Sequence, residues 1–124
     1  MQVTEDQTDA QSLSALGAEA VVLLVSRDFD TLADRFGYAL AHGREVAEAI
    51  EFDFAACLSE SEGSADRTGR PVTVKYFQTN DAGLLAAVEC IAYVAEGAAI
   101  LLELVVTGTG AERHVTLEGI SPVF

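Results

Sequence analysis

His42-Gly43-Arg44-Glu45-Val46-Ala47-Glu48-Ala49-Ile50-Glu51-Phe52-Asp53-Phe54-Ala55-Ala56-Cys57-Leu58 is the stretch that decides the fold. Two periodicities compete in it. Read at period two, Ile50, Phe52 and Phe54 alternate with Glu51 and Asp53, as in a half-buried strand. Read at period 3.6, Val46, Ile50, Phe54, Cys57 and Leu58 form one stripe with Ala47 beside it. The alanines at 47, 49, 55 and 56 and the length of the segment favour a helix over about 44–59. A carboxylate on the edge of a buried helix is costly without a partner or a task. Glu51, with Asp53 beside it, is therefore the first candidate for chemistry.

Upstream, residues 1–17 read as a flexible tail or a short helix ending at Gly17, and 18–124 as a single domain. Glu19 to Ser26 (EAVVLLVS) is a β-branched apolar run and predicts a strand. Asp28 can cap a short helix from Phe29 to about Leu40, with Gly37 breaking it. Downstream, Glu60 to Arg70 is a polar loop, and four strands are predicted at Pro71–Thr79, Leu84–Ala95 (whose alanines also permit a helix capped by Asp81), Ala98–Thr107 and Glu112–Ile120, with turns at Asn80–Gly83, Glu96-Gly97 and Gly108–Gly110 between them. The order is strand, long helix, then an antiparallel meander, which is an α+β fold with a five-stranded sheet.

Composition bounds the function. Acids outnumber bases 20 to 7, for a net charge of −13. Phosphate backbones and anionic membranes repel such a surface, so neither nucleic acid nor membrane is an expected partner. The longest apolar run, Ala98 to Leu102, is far too short to span a bilayer. The polar, acidic start MQVTEDQTDAQS has no signal-peptide pattern, so the expected location is the cytoplasm. Cys57 and Cys90 form no CxxC pair, and His42 and His114 lie far from both in sequence. No metal or other cofactor is expected; the cysteines read as small buried hydrophobes.

At this point the chain resembles the hotdog family of acyl thioesterases. The resemblance rests on His42-Gly43 at the helix start, Glu51 nine residues after His42, and the strand cadence of Arg70 to Gly108. It covers about residues 19–121. The second glycine of the family's motif is Arg44 here, and residues 34–41 (DRFGYALA) offer no Asn or Gln before the His. The resemblance implies one long central helix wrapped by a curved five-stranded antiparallel sheet. It also implies a homodimer with sites between subunits and a small-molecule thioester of pantetheine type as substrate. Glu51 would be base or nucleophile, Asp53 a second carboxylate and His42 an orienting residue. Gly43, the Arg44 amide and Tyr38 would hold the thioester oxygen and line the pocket. Arg67, Arg70 and Lys75 are the cations available for a phosphate tail.

Two other readings fit the same residues. Acidic charge, small size and an incomplete catalytic set also describe a small inhibitor or immunity-type protein that neutralises a basic partner. The third is a non-catalytic hotdog that holds a small apolar ligand.

Overall fold

The computed structural model describes residues 1–60, 72–78, 83–94, 98–109 and 112–123. Eight elements follow in order: β1 (Gln2–Val3), α1 (Ala10–Val25), α2 (Phe29–Phe36), α3 (Val46–Glu60), β2 (Val72–Tyr76), β3 (Leu84–Tyr93), β4 (Ala99–Thr109) and β5 (Glu112–Pro122). The strands form one antiparallel sheet in the order β1-β5-β4-β3-β2. The α+β class and the antiparallel five-stranded sheet hold, with one exchange. The strand expected at Glu19–Ser26 is helical, and the fifth strand is the two-residue β1 on the edge of β5.

Helix α1 explains that correction. Asp9 caps it, accepting from the Ser12 amide at 3.2 Å and the Ser12 hydroxyl at 2.6 Å. Leu13, Gly17, Ala20 and Leu24 are its buried residues, spaced by four, three and four positions. That stripe starts upstream of the Val-Val-Leu-Leu-Val run. Seen from residue 10, the β-branched run is the last turn and a half of a longer helix, and it leaves Val22 and Val25 exposed. Residues 1–17, read as a flexible segment, contain β1 and the first half of α1. Gly17 does not end the helix but lies against the sheet, where a Cβ would come within 2.8 Å of Cys90 Sγ and 3.0 Å of Val88 Cγ1.

Asp28 caps α2 through the Thr31 amide, and the helix stops at Gly37, whose φ of 68° and ψ of −167° suit only glycine. Helix α3 settles the competing periodicities of the opening stretch. Ile50 and Phe54 are fully buried, while Phe52 is 69% exposed. A strand would have put all three on one face.

The helices cover one face of the sheet. Helix α1 lies over β2 and β3, α3 lies over β5 and β4, and α2 packs between them. Val88, Cys90, Leu102 and Leu104 of the sheet meet Leu13, Leu24, Ile50 and Phe54 of the helices in one apolar core. The finer expectation of one long central helix is not confirmed. At 15 residues, α3 is no longer than α1 at 16, and both pack on the sheet. The expected loop at 61–70 and the turns at 80–82 and 96–97 lie outside the described residues.

Candidate functional site

The chain between α2 and α3 sets the candidate site. After Gly37, Tyr38 runs extended into a single 3-10 turn, Ala39–Ala41. His42 then takes a left-handed conformation (φ 50°, ψ 52°) and Gly43 another (φ 84°). These two residues turn the chain into α3. The turn leaves His42 exposed.

Helix α3 is capped by Glu45. Its carboxylate accepts from the Ala47 amide at 3.2 Å and the Glu48 amide at 2.7 Å. The Arg44 amide donates to the Ala41 carbonyl at 3.0 Å. The Arg44 amide, expected to hold a thioester oxygen, therefore already has a partner within the chain. An oxyanion site needs donors pointing at vacant space.

Asp53 is the centre of the best-connected polar cluster. Tyr38 donates its hydroxyl to Asp53 Oδ2 at 2.6 Å. Arg44 reaches Oδ1 and Oδ2 with two guanidinium nitrogens, each at 3.2 Å. Arg44 also donates to the carbonyls of Ala41 at 2.9 Å and Leu40 at 2.7 Å. Burial pushes the Asp53 carboxyl up, but the hydrogen bonds from Arg44 and Tyr38 and the charge of Arg44 outweigh it, and the carboxyl lies below its ordinary value. Burial, then the bond to Asp53, pushes the Tyr38 phenol well above its ordinary value. Asp53 is thus a fixed carboxylate and Tyr38 a fixed donor. Together with Arg44 they tie the 37–45 segment to α3.

Glu51 is on another side of α3. It is exposed and lines an open recess of about 280 Å³ with Arg27, Asp28, Asp30, Glu45 and Glu48. Five carboxylates share that recess with one guanidinium, whose carbon stands 5.1 Å from the Phe54 ring centre. Glu51 and Asp53 therefore do not converge. Lys75 is on β2 and bonds Glu89 at 2.7 Å; Arg67 and Arg70 lie outside the described residues. Among the described residues, no group of three or more His, Cys, Asp or Glu is placed to hold a metal ion. Cys57 and Cys90 are buried thiols without a disulfide, and burial raises them to about 11 and about 12.

Sequence reasoning missed two features. Glu45 as the α3 cap was visible as an acid three residues before Glu48. Arg44 as the partner of Asp53 lay nine residues away, beyond any helical spacing. Among the described residues, no helix is long and apolar enough to cross a membrane. Set against protein-family models, curated proteins and solved structures, the chain matches none of them.

Proposed function

We propose that the chain is an acidic binding protein that recognises a basic partner through charge and apolar contact, rather than a thioester hydrolase. The observation that carries this reading is the setting of Glu51. The best catalytic candidate stands exposed among four other carboxylates. Such a setting supplies neither the water exclusion nor the converging donors that acyl transfer needs. It does supply negative potential. With 20 acids against 7 bases, three of those bases tied to carboxylates (Arg35–Glu19, Arg44–Asp53 and Lys75–Glu89), the surface steers cations inward.

The test sets the two activities side by side. Binding to a synthetic cationic amphipathic peptide is measured by fluorescence anisotropy at low and high salt, and hydrolysis is assayed over a panel of acyl-CoA thioesters. The binding reading expects peptide affinity that falls at least tenfold between the salts and no turnover. Turnover that Glu51→Gln abolishes would replace it with the hydrolase reading.

A further inference from the structure

The sheet has a second face. Alternation along the strands sends Val88, Cys90, Leu102 and Leu104 to the helices and the intervening residues the other way. Among the described residues, no helix or strand covers that other face. The register lays it out in rows across β3 and β4: Ala87 opposite Val105, Glu89 opposite Glu103, Ile91 opposite Leu101. Val105, Ile91, Leu101 and both glutamates are half-buried, and Ala87 is buried. The face is therefore apolar, acidic, apolar along the strands, with rows about 6.8 Å apart.

The middle row breaks a sheet rule. Like charges directly opposite each other destabilise a strand pair. Lys75 bonds Glu89 at 2.7 Å and its charge also reaches Glu103, so two carboxylates share one cation. A local rule broken on an otherwise regular sheet is the mark of a surface shaped for something else. The recess beside Glu51 offers charge alone, whereas stable interfaces need an apolar centre. This face offers both.

We infer that the uncovered face of the sheet, centred on Glu89, Glu103, Ile91 and Leu101, is the docking surface for a cationic amphipathic segment of the basic partner; the inference rests on the binding reading above. The complement of apolar-acidic-apolar rows is apolar-basic-apolar at the same spacing. A helix with Leu, Arg and Leu at i, i+4 and i+8 presents it, at about 6 Å per step. The Arg meets Glu103, which shares Lys75 with Glu89, and the flanking leucines cover Ile91–Leu101 and Ala87–Val105. A second copy of this chain is the wrong occupant. Stacking two such faces would bring four carboxylates together between bodies that each carry −13.

The experiment uses the full chain and a synthetic helical peptide with that Leu-Arg-Leu stripe, beside a twin with Gln for Arg. Affinities are compared for the parent, Glu103→Gln, Leu101→Thr and a control pair, Glu5→Gln with Asp6→Asn, which removes two exposed charges that are not on β3 or β4. Circular dichroism melts monitor the fold. Glu103→Gln and Leu101→Thr should each weaken binding at least fivefold. The control pair should stay within threefold, and the Gln twin should bind the parent at least fivefold more weakly. Glu103→Gln should melt no lower than the parent, which a purely structural role for Glu103 would not allow. Parent binding that neither sheet variant weakens beyond the control overturns the assigned face while the basic-partner reading stands. No parent binding to any cationic peptide overturns both. Self-association that Leu101→Thr abolishes would give the face to a second copy.

Discussion

Tyr38 and Asp53, fifteen residues apart, share a 2.6 Å hydrogen bond that anchors the α2–α3 connection to the second turn of α3. Arg44 closes the same carboxylate from the other side. The residue types invite a catalytic reading, but the geometry is that of a fastening. Both carboxylate oxygens are engaged, and the guanidinium also reaches two backbone carbonyls.

Asp53 makes stability depend on acid. Its folded value lies below its unfolded one, so its contribution is fully present above the ordinary carboxylate range and is lost as pH falls through the lowered value. Asp53→Asn is expected to cost about 1 kcal/mol near neutrality, the worth of a partly exposed charge-assisted bond. The same variant should flatten the acid limb of the stability curve. Urea melts from pH 7 down to pH 3 measure both. An unchanged acid limb would remove Asp53 from the fastening. Tyr38→Phe should cost a similar amount without changing that limb's direction, because Arg44 still holds the charge.

The parts legible in the sequence are those with a local cause. The stripe Ile50–Phe54–Cys57 announced α3, Asp28 and Gly37 bracketed α2, and the strand-turn cadence after residue 71 gave the meander of β2 to β5. The strand expected at 19–26 failed because its window opened too late, after Leu13 and Gly17 had already begun the helical stripe. The site was less legible. Glu51 and Asp53 are two residues apart, so a helix turns them about 200° from each other. Which of them would meet Tyr38 depended on the left-handed His42-Gly43 turn, and no spacing reveals that.

Gly17 supplies a packing test. A methyl group there would press on Cys90 Sγ, Val88 Cγ1 and Val72 Cγ1, the last at 3.2 Å. Exchanging glycine for alanine in a helix interior gains up to about 1 kcal/mol. Overpacking a buried contact costs about 1–3 kcal/mol. Gly17→Ala should therefore lower stability by about 1 kcal/mol, and chemical denaturation reads it. A gain in stability would mean that α1 does not seat on β3 as closely as described.

Cys57 and Cys90 should be silent to thiol reagents in the folded protein. Burial raises both thiols, and at neutral pH neither supplies appreciable thiolate, the reactive form. Ellman's reagent should label neither without denaturant and both with it. Rapid labelling of the native chain would show that the core opens near α3 or β3.

The hotdog resemblance implies a homodimer with a site between subunits, whereas the charge on the sheet argues for a single chain. The uncovered sheet face carries Glu89 opposite Glu103, and each copy carries −13. Apposing two such faces would add like-charge repulsion to the desolvation of carboxylates, against the gain from half-buried Ile91, Leu101 and Val105. Sedimentation at micromolar concentration and low salt should therefore give the single-chain mass of 13.1 kDa. Raising the salt shortens the screening length to about 3 Å near 1 M and weakens that repulsion. Any self-association should consequently appear at high salt, and Glu103→Gln should move its onset to lower salt. A dimer at low salt that Glu103→Gln leaves untouched would mean that the copies meet elsewhere and that the charge on this face does not govern association.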